Sequence, residues 1–245
     1  MILSLATFFF ICIIFIDLNA FALPFIDFHN HSRWNRGADI IEVTSIHGLQ
    51  KKDYSFYTFG YHPWWTLDLL SDEELTAMST KYLNDPLCLG LGEFGLDNLK
   101  GASIDVQEQI FSQQISIANN VKSPVIIHCV RAYDRLIRLR REFGQTPWTV
   151  HGFVRNKILA GQLLDAGMNL SVAPHHERGP SFVEMIAYVP MENVFIETDS
   201  DFSMNITDRY TIFAAIKKMD VQDVQEILYS NFITFYKDKW KHHIG

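Results

Sequence analysis

Residues 124–153 read PVIIHCVRAYDRLIRLRREFGQTPWTVHGF, and their pattern decides the fold class. A short apolar run at 124–129 leads into a segment, 132–143, that places Leu136, Leu139 and Phe143 on one helical face. A Gly/Pro-containing break follows, and then a second apolar run at 148–151. Strand, helix and strand in such close succession imply parallel strands joined by a crossover helix.

The same alternation extends in both directions. Upstream, short runs rich in β-branched and aromatic residues lie at 25–28, 40–45, 57–61 and 87–92; downstream they lie at 169–172 and 194–197. Between them the spacing predicts helices. Ser71-Asp-Glu-Glu74 is a capping-box start, residues 106–121 carry an apolar face, and 157–166 end at Gly167, a helix-stop signal. Segments 182–189, 209–219 and 221–236 complete the set. Only short connections separate the first three strands, so helices there are short or absent. Eight strands alternating with helices predict a compact α/β fold, a (β/α)8 TIM barrel with shortened early and late loops, spanning residues 23–245. A doubly wound open sheet is the competing architecture.

Composition agrees with a large core. Of 245 residues, 48% are apolar, which excludes a disordered chain. The formal charge of −7 argues against a protein that coats nucleic acid with a broad basic face. Cys12, Cys88 and Cys129 form neither a CxxC pair nor an even framework, so a zinc ribbon or a disulfide scaffold is not expected. Residues 1–22 stand apart. Fourteen of the first sixteen are apolar, and Ala20-Phe21-Ala22 offers a small-x-small cleavage site, yet no Lys or Arg precedes Arg33. The segment reads either as a secretory leader or as translated sequence upstream of a later start. It is short for a membrane span of about 20 residues, and no membrane association is expected once it is removed.

The chemistry-bearing residues sit at the C-terminal ends of the strands, where barrel enzymes build their sites. His29 and His31 end the first strand; as positions i and i+2 they point the same way. His62 follows the third strand, Glu93 the fourth, and Asp199 the eighth, while His128 and His151 end the fifth and sixth. His175 and His176 follow the seventh. Seven of the ten histidines thus fall on one rim. Four imidazoles (His29, His31, His128 and His151) with two carboxylates (Glu93 and Asp199) form a mixed N/O donor set. Such a set suits Zn²⁺, Mn²⁺ or another first-row dication better than a pure Mg²⁺ oxygen cage. Six donors exceed what one tetrahedral ion needs, so two divalent ions with a bridging carboxylate are expected. Arg33, Arg36, Arg131, Arg155 and Arg178 add positive charge to the rim and suit an anionic substrate.

These segments resemble the TatD family of metal-dependent deoxyribonucleases, within the amidohydrolase-like barrels. The matching pieces are FIDFHNH (25–31), GYHP (60–63), GLGEFGLD (90–97), PVIIHCVRAYD (124–134), VHGF (150–153), LLDAGMNLSV (163–172), VFIETDSD (194–201) and SNFITFY (230–236). The resemblance implies that His29, His31 and Asp199 hold a first metal, that His128 and His151 hold a second, and that Glu93 bridges. It implies metal-dependent hydrolysis of phosphodiester bonds in DNA or nucleotides by metal-activated water, with Glu93 and Asp199 catalytic and Asp199 able to take the water's proton. The ions would be Zn, Mn or Mg. His62, Arg131, Arg155, His175 and Arg178 are the expected substrate contacts, and single-stranded DNA ends or nucleotides the expected partners. No protein partner is singled out. The resemblance favours a cytoplasmic protein; an exported one follows if residues 1–22 are a signal peptide.

Departures from the family pattern concern substrate contacts rather than metal ligands. Ser32-Arg33 stands where Leu-Asp is usual, Val130 and then Arg131 where an arginine follows the strand-five histidine by two, and Asp201 where proline is usual. The long Arg/Pro-rich loop before the last helices is missing. Hydrolysis is therefore better supported than DNA as substrate. A hydrolase of an amide, lactone or acyl ester, and a non-catalytic binding barrel, are the alternatives. Asp97 reads as an orienting group for a ligand or as a loop residue, and Cys129 as a core thiol. Trp64 and Trp65 read as packing over the barrel mouth, with base stacking the alternative, and His242 and His243 as an unremarkable tail.

Overall fold

A computed structural model describes residues 23–31, 37, 39–48 and 56–241. The hydrophobic leader, Arg33, Arg36, His242 and His243 lie outside the described residues. Eight strands form one parallel sheet in sequence order: β1 (Phe25–Asn30), β2 (Ile40–His47), β3 (Phe56–Gly60), β4 (Cys88–Asp97), β5 (Val125–Val130), β6 (Trp148–Val150), β7 (Met168–Val172) and β8 (Val194–Ile196). The helices are α1 (Asp72–Asn84), α2 (Ile104–Val121), α3 (Tyr133–Phe143), α4 (Lys157–Asp165), α5 (Pro180–Tyr188), α6 (Ile206–Lys217) and α7 (Val221–Trp240), with a 3₁₀ turn at Met191–Asn193. Strand order without a reversal point excludes the doubly wound alternative. Among the described residues no helix separates β1, β2 and β3, and no helix is long and apolar enough to cross a membrane.

The barrel closes through the ends of β1 and β8. Asn30 bridges Asp199, whose N–H donates to the His29 carbonyl at 2.9 Å. Below this, the buried Asp27 carboxylate accepts the Thr198 amide at 2.8 Å and the Thr198 hydroxyl at 2.6 Å. Closure thus places His29, His31 and Asp199 side by side.

The capping box at Ser71 forms as expected. Glu74 N–H donates to Ser71 Oγ at 3.2 Å, and Ser71 N–H to Glu74 Oε2 at 2.9 Å. Gly167 after α4 adopts φ +76° and donates to the Leu164 carbonyl. Several boundaries differ from the sequence expectation. α5 begins earlier, at Pro180, because proline at the first helical position has no amide to leave unpaired. α6 begins at Ile206 and α7 runs on to Trp240. β4 extends to Asp97, so Glu93 lies within the strand rather than after it.

Most of the core lies between strands and helices, for example Phe94, Phe111 and Trp148. A second cluster forms where α7 covers β1 and β8. Phe28 and Phe195 stack at 3.9 Å, and Phe232, Phe235 and Tyr236 from one helical face pack over them.

Candidate metal centre

Glu93 is the hub, and β4 is built to hold it. Gly92 sits at φ +124°, and a Cβ there would meet the Ile126 carbonyl oxygen at 2.4 Å. A Cβ at Gly95 would meet the His128 carbonyl oxygen at 1.9 Å. Only glycine lets β4 approach β5 this closely, which sets Glu93 beside His128. The register between β4 and β5 shifts between Leu91 and Phe94, around Glu93 itself.

The two Glu93 oxygens face different histidines. Oε1 lies 2.6 Å from His151 Nε2, 2.8 Å from His128 Nδ1 and 3.1 Å from His62 Nε2. Oε2 lies 3.4 Å from His29 Nε2 and 3.3 Å from His31 Nε2. His31 Nε2 is also 3.2 Å from Asp199 Oδ1. All six residues expected to bind metal therefore meet in one cluster, and His62 joins them. The groups within mutual ligand reach are His29 with His31 and Asp199; His29 with Glu93 and His151; His62 with Glu93 and His128; and His151 with Glu197 and Asp199.

Buried atoms without partners show what the cluster lacks. His128 lies between two carboxylates, its Nε2 3.1 Å from Asp97 Oδ2 and its Nδ1 2.8 Å from Glu93 Oε1, so the single proton of a neutral ring serves only one of them. His29 Nε2 and Glu93 Oε2 are buried without a hydrogen bond, as are His151 Nδ1 and Glu197 Oε2. Glu93, Asp97 and Glu197 are each at most 3% exposed, and their described ion-pair partners are all histidines. Buried imidazole nitrogens and carboxylate oxygens left without a hydrogen bond are costly, and cations between them would satisfy both. The donor set fits divalent metal ions on this ground.

His62 differs from the others. Its Nδ1 accepts the Trp64 N–H at 3.1 Å, so the neutral ring carries its proton on Nε2 and presents a donor to the centre. Burial holds its pKa down, against the pull of Glu93. Electrostatics elsewhere in the cluster follow from burial and partner together. Burial would raise the Glu93 carboxyl, but His151 and the hydrogen-bonding histidines hold it well below the ordinary range. Burial would lower His151, yet Glu93 and Glu197 push it well above 6.5. Burial lowers His29. Burial also disfavours charge on His31, but Asp199 and Glu93 outweigh it. Asp199 stays ionised despite burial because His31, His151 and His29 surround it. Asp199 also occupies the left-handed region at φ +52°, a strained backbone of the kind that clusters at functional sites.

Two contributors were not expected from sequence. Glu197 follows β8, with Oε1 accepting Gly152 N–H at 2.6 Å and lying 3.8 Å from His151 Nδ1. His47 ends β2, two residues beyond the expected strand, and its Nδ1 accepts the His62 N–H at 3.0 Å. The signal for each was its place: His47 follows an apolar run, and Glu197 stands at i−2 from Asp199. Asp97 takes the orienting position read as one of its two options. Cys129 is a buried thiol with its pKa pushed up by burial.

Apart from His62, which joins the central cluster, the expected substrate contacts lie in the surrounding loops. Arg131 is exposed in the left-handed region at φ +51°, and Arg155 is exposed as well. His175 and Arg178 line a shallow hollow of about 380 Å³ with Glu177, Asp201 and Ser203. Asp201, the departure from proline, pairs with the buried Arg209 at 2.8 Å, and Arg209 also donates to the Pro174 carbonyl. This pair ties the loops after β7 and β8 together.

A family model of TatD-related DNases matches residues 35–237. The chain belongs to the TatD-related DNase family. Its match begins just after His29 and His31. A 3′-5′ ssDNA/RNA exonuclease TatD of Pectobacterium atrosepticum is 29% identical over 162 residues, covering 61% of this chain and 59% of the relative. The chain thus spans less than two thirds of that relative's length. An uncharacterized metal-dependent hydrolase of Methanocaldococcus jannaschii is 25% identical over 226 residues, covering 81% of this chain and 86% of the relative. A human 3′-5′ RNA nuclease is 26% identical over 162 residues, covering 63% of this chain and 21% of the relative. Among solved structures, a TatD homologue from Escherichia coli superposes with a TM-score of 0.73 at 20% identity, covering 87% of this chain and 98% of that one. A TatD-family hydrolase from Entamoeba histolytica gives 0.72 at 16% identity, covering 88% and 98%. These two likenesses show the barrel fold.

Proposed function

We propose that this TatD-family barrel is a divalent-metal-dependent hydrolase that cleaves phosphodiester bonds at the ends of single-stranded nucleic acid. The observation that carries the reading is the buried Glu93 carboxylate, with one oxygen facing His62, His128 and His151 and the other facing His29 and His31. The names of the Pectobacterium and human relatives support nucleic acid as substrate.

In this reading His29, His31 and Asp199 would hold one ion and His128 and His151 a second, with Glu93 a ligand common to both. Zn²⁺ and Mn²⁺ suit the mixed donor set, with Mg²⁺ a third candidate. Divalent ions at such a site supply Lewis-acid chemistry, lowering the pKa of water and neutralising phosphoryl charge. Asp97 orients His128 through the nitrogen that faces away from Glu93, and Glu197 sets its charge 3.8 Å from the corresponding nitrogen of His151. Asp199, ionised at neutral pH, accepts the proton of the attacking water at its carboxylate. His62 donates its Nε2 proton as a hydrogen bond to a phosphoryl oxygen. Arg131, Arg155, His175 and Arg178 form the outer ring of anion contacts.

The test uses chelated protein and a labelled single-stranded oligonucleotide, with Mn²⁺, Zn²⁺ or Mg²⁺ added back, beside lactone and amide substrates. Metal-restored shortening of the oligonucleotide is expected. Turnover confined to the carbonyl substrates, or undiminished after chelation, would overturn the reading.

A further inference from the structure

The loop after β3 carries two adjacent tryptophans that the fold treats differently. Trp64 is committed: its indole N–H donates to Asp97 Oδ2 at 2.6 Å, and the Lys100 ammonium lies 3.9 Å from its ring centroid. Trp65 is not. It is 56% exposed, although indole is among the costliest surfaces to leave in water. Its ring lies 4.8 Å from the His62 ring and 5.0 Å from the His47 ring, centroid to centroid. His62 in turn reaches Glu93 at 3.1 Å. A large aromatic surface therefore stands one side chain away from the centre of the metal-binding cluster. Both rings pack at the mouth, but Trp64 is held by a hydrogen bond while Trp65 rests on His62 and His47 with more than half of its surface exposed.

We propose that Trp65 is the stacking platform for the nucleobase next to the scissile phosphate. The inference rests on the phosphodiesterase reading above and adds that the substrate carries a base. The base of a nucleotide lies one sugar away from its phosphate. A phosphate at Glu93 and His62 therefore brings that base to the exposed indole. Stacking is tolerant of base identity, because every base has a π face. It would supply affinity that a sugar phosphate or an aliphatic phosphoester cannot obtain here.

The experiment compares a short single-stranded oligonucleotide with the same oligonucleotide whose terminal nucleotide is abasic. In the wild type the abasic end raises KM by about tenfold or more. Trp65→Ala brings the ratio of the two KM values towards one, and Trp65→Phe retains most of it. A ratio in Trp65→Ala equal to that of the wild type overturns the proposal. Binding is read separately by competition between thymidine monophosphate and deoxyribose 5-phosphate, using tryptophan fluorescence. Preference for the nucleotide that disappears in Trp65→Ala supports stacking even if no oligonucleotide is cut, an outcome that counts against the phosphodiesterase reading alone. No preference in the wild type overturns stacking whatever the activity.

Discussion

Glu93, Asp199 and Glu197 carry three different charges of responsibility at the residue scale. Glu93→Gln keeps the shape but removes the negative charge between the two histidine sets. It is expected to weaken metal binding throughout the cluster and to abolish most turnover. Asp199→Asn removes the proposed proton acceptor and is expected to lower kcat by about 10² or more while sparing much of the metal binding. Metal analysis beside steady-state kinetics separates the two, and near-normal turnover in both variants would contradict the roles given to them. Glu197→Gln leaves a hydrogen-bonding group beside His151 but no charge, so metal affinity is expected to fall about 10- to 100-fold. Titration of the chelated variant with Mn²⁺ checks this, and unchanged affinity would make Glu197 a partner of Gly152 only. The six proposed ligands were legible in the sequence because each follows or ends an apolar run. Glu197 and His47 were not, because their roles depend on where β8 stops and where β2 continues. The rim arginines were legible as charges but not as contacts, since loop backbone such as the left-handed Arg131 decides their direction.

At the scale of elements, β4 and α7 do the positioning. β4 was readable as a strand, but its continuation to Asp97 was not, because glycines at 92 and 95 look like a turn until β5 is placed against them. The last helix was readable at 221–236, but not which strands it covers; the structure shows Phe232, Phe235 and Tyr236 on one face packed over β1 and β8. Phe232→Ala empties a fully buried site in that cluster and is expected to cost about 3–5 kcal/mol in denaturant unfolding. The end of α1 gives a pH test. Asp85 accepts the Tyr57 hydroxyl at 2.6 Å and the Leu87 amide at 3.0 Å. Burial opposes its ionisation, but the Tyr57 hydroxyl, the Leu87 amide and Lys81 hold the carboxyl below its ordinary 3.8. A carboxyl with a depressed folded pKa stabilises the fold above its unfolded pKa. That contribution is lost as pH falls through the folded value. Asp85→Asn should therefore lower Tm at pH 7, and the gap to the wild type should narrow below about pH 4. An equal gap at pH 3 and pH 7 would show that the charge is not responsible.

For the whole molecule, an acidic chain is reconciled with an anionic substrate by local chemistry. The formal charge of −7 excludes a basic coat, but buried carboxylates at the barrel mouth invite cations, and bound cations reverse the sign there. Eight strand signals in order were enough to read the barrel, because a parallel sheet without a reversal point closes on itself. Its closure, through Asp27, Thr198 and the Asn30–Asp199 bridge, brings the first and last strands' ligands together, and no local pattern announces that contact. The central claim is that Glu93 joins two metal positions. Its most direct test is the number of Mn²⁺ ions bound per chain by the chelated protein, measured by calorimetric titration of the wild type and of Glu93→Gln. Two ions in the wild type and weak binding of at most one in the variant are the predicted result; no binding in the wild type, or the same stoichiometry and affinity in both, would contradict it.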